Sequence, residues 1–254
     1  MMLTDLADVL RAAGLTVIEE PGWKTRGRGQ MTAVRGIILH HTAGGARDNY
    51  PSRNVVLNGR ADLPGPLAQL GLARDGSVIV FAAGVANHAG APDKPHPSIT
   101  GNSTALGIEA ESTGVKRADG SYDWTAAQLF AYPRMVRALA RHYGVPAANV
   151  LAHREWAPSR KIDPTGIDMA AIRSFVAAPT IPGDDLTAQF EIDVRKDLAV
   201  KQGQLNALAL LDKDLRLDLD VKGDALDRIE SAQRDLRTLL EEVRNYVKPP
   251  TSGV

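Results

Sequence analysis

Two stretches far apart in the chain carry side chains that could do chemistry together. One is Leu151-Ala152-His153-Arg154-Glu155-Trp156-Ala157-Pro158-Ser159-Arg160-Lys161-Ile162-Asp163-Pro164, which gathers an imidazole, three cations and two carboxylates. Its two prolines remove backbone donors and disfavour helix, so it reads as a shaped loop after a short apolar strand. The other is Gly36-Ile37-Ile38-Leu39-His40-His41-Thr42-Ala43-Gly44-Gly45, an apolar run ending on two histidines and a flexible turn. One histidine of that run, with His153 and Asp163, makes a three-ligand site of nitrogen and oxygen donors. Three protein ligands with one position left open is how catalytic zinc is held. Adjacent side chains on a strand point to opposite faces, so His40 and His41 cannot both take part.

A third segment, Ala105-Leu106-Gly107-Ile108-Glu109-Ala110-Glu111, reads as a strand with Glu109 and Glu111 on one face. It offers carboxylates for moving protons, or for structural ion pairs.

The elements that must position these groups alternate between strand and helix. Thr4 to Ala13 has a helical apolar face stopped by Gly14, and Thr16 to Ile18 is a short strand. Val34 to Leu39 is continuous and apolar, as in a strand buried on both faces. Asn49 to Gly59 is a helix or turn region, and Asp75-Gly76 joins Pro66–Ala73 to Ser77–Ala82 as a hairpin. Thr125 caps a helix from Ala126 to Tyr143 with Leu129, Met135, Val136, Leu139 and Ala140 as its apolar stripe, ended by Gly144. Val150 to Ala152 delivers His153, and a short helix spans Ile167 to Val176. The pattern predicts an α/β fold, a central mixed β-sheet flanked by helices, with the site at strand ends along a cleft.

The texture then changes. Residues 1–178 form the expected catalytic domain, 179–185 are a linker by their Pro, Gly and Asp content, and 186–254 are a helical, coiled-coil-like region. Between Val194 and Val247 apolar residues recur at alternating three- and four-residue steps, interrupted at Lys201, Asp212, Lys222 and Gln233. Interruptions every ten or eleven residues suit a weakly or right-handed supercoil. Such a stripe needs a partner surface, so residues 194–247 are expected to self-associate, fold back, or dock on the first domain.

The 254 residues carry no net charge and no cysteine. Nothing calls for nucleic acid or an anionic surface, and any zinc must be held by His and carboxylate. No apolar run is long enough to span a membrane, and the N-terminus has neither the basic nor the apolar region of a secretory signal. Synthesis in a cytoplasm, that of a host cell, is the expectation.

The pair I-I-L-H-H-T-A and A-H-R-E-x-x-P-x-R-K-x-D-P resembles the zinc-dependent N-acetylmuramoyl-L-alanine amidases, whose fold is shared by peptidoglycan recognition proteins and small phage amidase lysozymes. The resemblance covers roughly Arg35 to Val176. It implies zinc on His40 (through the family's H-x-T-A pattern), His153 and Asp163, with Glu109 as the proton-transfer group and Lys161 stabilising the oxyanion. The implied reaction is hydrolysis of the amide joining N-acetylmuramic acid to L-alanine in peptidoglycan, by a phage endolysin acting on the bacterial wall. His88, before Ala89-Gly90, fits the cleft rim as a substrate contact, and Arg160 suits a substrate carboxylate. Where family members often carry Tyr-His, this chain has Ala68 and Gln69, so Gln69 becomes a candidate substrate contact or a structural residue. The rival readings are a non-catalytic peptidoglycan-binding module and a structural phage component carrying an amidase domain.

Overall fold

The computed structural model describes residues 1–179 and 224–246. Contacts divide the chain into two units, Met1–Pro179 and Thr180–Val254. The first is built on a six-stranded mixed sheet. In chain order its strands are β1 (Val17–Glu19), β2 (Gly36–His41), β5 (Leu70–Leu72), β6 (Val78–Val80), β7 (Ala105–Ala110) and β8 (Val150–Ala152). A separate two-stranded ribbon, β3 (Gly59–Arg60) with β4 (Leu63–Pro64), has no counterpart in the sequence reading. The spatial order is β1-β6-β5-β7-β2-β8. Within this six-stranded sheet only the β5–β6 hairpin pairs antiparallel.

Helices α1 (Leu6–Ala12), α3 (Ala126–Tyr143) and α5 (Met169–Ala177) contribute to the main core with one face of the sheet. Ile37, Leu39, Leu106, Ile108 and Leu70 meet Leu6, Leu10, Met135, Val136, Leu139 and Ile172 there. Helix α3 starts at a capping box between Thr125 and Gln128 and ends on Gly144 at φ 68°. The expected stripe needs one correction: Leu129 is exposed, and Tyr132 takes the buried position. From there Tyr132 donates its hydroxyl hydrogen to the backbone carbonyl of His40, at 3.0 Å.

The opposite face of the sheet carries two small apolar clusters. One holds Ile38, Ala89, Ile99, Ala105 and Trp156; the other holds Tyr50, Val56, Ala68, Ile79 and Phe81. Helix α2 (Arg53–Asn58) supplies Val56 to the second cluster. Side chains alternate along a strand, so Ile38 and His40 of β2 share this face with Ala105, Gly107 and Glu109 of β7.

The segment after β8 departs from the expected loop. His153–Trp156 forms one helical turn, α4, before Pro158. Glu155 stabilises it by accepting the amide hydrogen of Ala152 at 2.8 Å while gripping Arg173 of α5 through both carboxylate oxygens. Such a forked pair is a strong local fastening.

Of the second unit, α6 (Asp224–Tyr246) is a helix. Leu236 and Leu239 are half-buried and Leu240 is exposed. The stripe expected from Val194 to Lys222 lies outside the described residues. Among the described residues no helix is long and apolar enough to cross a membrane.

Candidate metal centre and cleft

His40 is the fifth residue of β2, and His153 opens α4 next to β8, the strand that pairs with β2. Asp163 returns to them because its carbonyl accepts the amide hydrogen of Arg154 at 2.8 Å, closing the intervening loop. Three donor atoms converge: His40 Nδ1 and His153 Nδ1 are 2.9 Å apart, and Asp163 Oδ2 lies 3.1 and 3.0 Å from them. Both imidazoles are buried, while Asp163 keeps partial exposure. This is the one cluster among the described residues whose His and carboxylate atoms are grouped tightly enough to hold an ion.

The donor set fits zinc. An ion with Zn–N and Zn–O bonds of about 2.0–2.2 Å needs its ligand atoms only slightly further apart than these. The charge states also suit ligation. Burial pushes the His40 imidazole down to about 4, against the pull of the Asp163 carboxylate beside it, so it is neutral at physiological pH. Burial disfavours charge on Asp163, but the imidazoles of His153 and His40, 3.0 and 3.1 Å from its Oδ2, more than offset this and hold its carboxyl well below the usual range.

The outer nitrogens are engaged as well. His153 Nε2 lies 3.0 Å from the carbonyl oxygen of Ala89, and His40 Nε2 lies 3.1 Å from Nδ1 of His88. His41 turns to the helix side, where its Nδ1 accepts the amide hydrogen of Thr165 at 3.1 Å. Burial lowers its pKa.

Glu109 is the register partner of His40 across β2 and β7. Its Oε2 is buried with no hydrogen-bond partner among the described residues. Burial, then the charge of Asp163, raises its pKa well above the ordinary carboxylate value; Lys161 and Arg60 act the other way. A buried carboxylate oxygen without a partner among the described residues, on the strand beside the ligand cluster, makes Glu109 a candidate for proton transfer. Glu111 is spent elsewhere: fully buried, it accepts from the Thr42 hydroxyl at 2.7 Å and from the amide and hydroxyl of Ser52, both at 3.1 Å. It fastens the turn after β2. Lys161 is half-buried, and its charge bears on both His40 and Glu109.

Two residues weighed as substrate contacts, Gln69 and His88, are buried and engaged inside the protein. Gln69 is fully buried; its amide nitrogen donates to the Gly84 carbonyl at 3.1 Å, and its oxygen accepts from the Gly107 amide at 2.8 Å. It bridges backbone inside the sheet. His88 is buried too, with both ring nitrogens engaged inside the protein, by His40 and by the Ala105 carbonyl. Burial, then the neighbouring His40, pushes its pKa well below the usual value. Arg160 sits at the surface with one nitrogen donating to the Ala89 and Ala91 carbonyls, so part of its fork already holds the chain. Arg154 likewise donates inward, to the Ile167 carbonyl at 2.9 Å.

Ala68, where a tyrosine was expected by resemblance, packs fully buried against the Tyr50–Phe81 cluster. Tyr50 itself donates to the Glu109 backbone carbonyl at 2.8 Å. Gly71 makes room for it: a β-carbon there would lie 2.7 Å from the Tyr50 hydroxyl. Neither the His88–His40 contact nor the influence of Arg60 on Glu109 was visible in the sequence, because both depend on which loops fold over the sheet. The one available signal was the glycine at 107, which leaves open the face that His88 covers.

The profile of the N-acetylmuramoyl-L-alanine amidase family matches residues 30–166. Among solved structures, a selenomethionine derivative of AmpD aligns at 21% identity and TM-score 0.48, over 64% of this chain and 94% of that one. The endolysin N-acetylmuramoyl-L-alanine amidase LysCS from Clostridium intestinale URNW aligns at 16% identity and TM-score 0.48, over 65% of this chain and 97% of its own. No curated protein matches the chain.

Proposed function

The chain belongs to the N-acetylmuramoyl-L-alanine amidase family, and we propose that it is a zinc-dependent member that hydrolyses the amide between the lactyl group of N-acetylmuramic acid and L-alanine. The observation that carries this reading is the convergence of His40 Nδ1, His153 Nδ1 and Asp163 Oδ2 beside Glu109, whose buried Oε2 has no partner among the described residues.

His40, His153 and Asp163 are the residues that would hold zinc, which when bound supplies a Lewis acid that activates water near neutral pH. Glu109 then takes the proton released as water attacks the amide carbon and returns it to the leaving amine, the work of a general base turned general acid. Its position one strand from His40 fits it for that transfer. Lys161 places a positive charge on the same side, where it stabilises the oxyanion of the tetrahedral intermediate. Tyr50 and Tyr132 brace the backbone under both groups through the Glu109 and His40 carbonyls.

A non-catalytic recognition domain is the rival. That reading needs a gap in the ligand set, and here all three positions are filled by residues able to bind metal. The enzyme is further proposed to act as a phage endolysin on the bacterial wall, with the 194–247 region as an assembly element. Digestion of a muropeptide of defined structure, followed by mass spectrometry, tests the reaction: products split between the muramic acid and L-alanine support it. An intact substrate with zinc-loaded protein would leave only binding.

A further inference from the structure

We propose that His88 is a positioning residue that fixes the proton of His40 on Nε2, so that Nδ1 keeps the lone pair a metal needs. This rests on the reading that His40, His153 and Asp163 hold zinc. The argument is one of hydrogen-bond polarity. A backbone carbonyl can only accept. The Ala105 oxygen lies 3.1 Å from His88 Nε2, so that nitrogen carries the hydrogen. A neutral imidazole has one N–H, which leaves His88 Nδ1 as an acceptor. The atom facing it at 3.1 Å is His40 Nε2, which must therefore donate. His40 Nδ1 is left with its lone pair, 2.9 and 3.1 Å from the other two ligand atoms. The opposite polarity would point an N–H into the ligand cluster and would require Ala105 to be faced by a bare nitrogen lone pair.

The arrangement is built rather than incidental. The His88 ring lies against Gly107 of β7, where a β-carbon would come within 2.6 Å of Cδ2 and 2.8 Å of Nδ1. Only glycine at that position lets the ring reach both Ala105 and His40. The next residue does the same service for the other ligand: the Ala89 carbonyl, 3.0 Å from His153 Nε2, sets the tautomer of His153. Asn102 holds this dipeptide in place, its Oδ1 accepting from the amides of His88 at 3.3 Å and Ala89 at 2.9 Å. One short segment thus orients both imidazole ligands, one through a side chain and one through a carbonyl. Partners of this kind raise ligand basicity and fix ring orientation.

The test is made on the zinc-loaded full chain. Zinc affinity is measured by chelator competition for the wild type, His88→Leu and His88→Asn, with thermal melts to check folding. Leucine keeps bulk but offers no acceptor; asparagine places an oxygen near the position of Nδ1. His88→Leu should bind zinc about 10- to 100-fold more weakly, the usual cost of losing an outer partner, and His88→Asn should recover part of that loss. Nitrogen-15 spectra of the wild type should show His88 protonated on Nε2 and bare on Nδ1, and this reading decides the matter if His88→Leu does not fold. A folded His88→Leu with unchanged zinc affinity, or a wild-type His88 protonated on Nδ1, overturns the proposal and leaves the metal centre standing. A wild type that takes up no zinc overturns the metal reading, and this proposal with it.

Discussion

His40 and Glu109 are register partners on the neighbouring parallel strands β2 and β7, with their side chains on the same face of the sheet. The spacing between a proposed metal ligand and the proposed proton-transfer group is therefore set by the strand ladder. No loop movement is needed to bring them together. Glycines at 71 and 107 on the same face make room for Tyr50 and for the ring of His88.

Removing any one ligand should dismantle the centre. His40→Ala, His153→Ala and Asp163→Ala are each expected to lose zinc and activity, because two remaining donors cannot hold the ion. His41→Ala should keep zinc but melt earlier, since the Thr165 amide loses its acceptor, a loss of about 1–3 kcal/mol when the group stays buried. Metal content by atomic emission alongside thermal melts checks both. Loss of zinc in His41→Ala with retention in His40→Ala would reverse the assignment of faces.

Glu109→Gln and Lys161→Ala should retain zinc yet lose about 10²-fold or more in kcat, the scale of acid–base and oxyanion groups. Glu111 is fully hydrogen-bonded to Thr42 and Ser52, so it offers no ready substitute. Near-normal turnover by Glu109→Gln would remove the proton-transfer role from this residue.

Acid lability should depend on Asp123. Burial opposes its charge, but hydrogen bonds from Ser112 and Thr113 and the ion pair with Arg74 at 2.9 Å hold its pKa down to about 2. A pKa lower in the folded than in the unfolded chain gives stability that is present above the unfolded value, near 3.8, and fades as pH falls toward 2. The shift corresponds to about 2 kcal/mol. Denaturant titrations of wild type and Asp123→Asn between pH 7 and 2 should converge at the acid end; parallel curves would contradict this.

A chain ending at Pro179 should fold and cleave soluble muropeptides, because every proposed site residue and the main core precede that point. Arg137 and Arg141 both donate to the Ala178 carbonyl, so a shorter cut would strip a fastening from α3. The full chain should be larger in solution than one copy, since the apolar stripe of residues 194–247 needs a partner. It should also lyse whole walls better than the short form, because linked sites raise effective concentration on a polymer. Light scattering that finds the full chain monomeric would sink self-association.

Much of the fold was legible because its signals are local. The bounds of α3 follow from Thr125 and Gly144 at its two ends, and the hairpin from Asp75-Gly76 between two apolar runs. The alternation of β2 placed His40 and His41 on opposite faces before any partner was known. The composition of the two motifs already limited the donors for a metal to imidazole and carboxylate, as a chain without cysteine must.

Other features were decided only in three dimensions, because they depend on which distant groups end up within hydrogen-bond reach. A histidine in a Gly- and Pro-rich stretch reads as cleft rim, yet His88 turns inward because Gly107 and the Ala105 carbonyl, on a strand further along the chain, make a place for its ring. Gln69 reads as either a substrate contact or a structural residue, and only the fold shows the Gly84 carbonyl and Gly107 amide claiming both ends of its side chain. Of two acids sharing a face, Glu111 is closed off by Ser52 and Thr42, while Glu109 keeps an oxygen with no partner among the described residues. Sequence fixes residue type and local periodicity, and so which atoms are available as donors; burial and hydrogen-bond polarity, which settle protonation and direction, arise only when the backbone carbonyls of separate strands and loops are brought face to face with them.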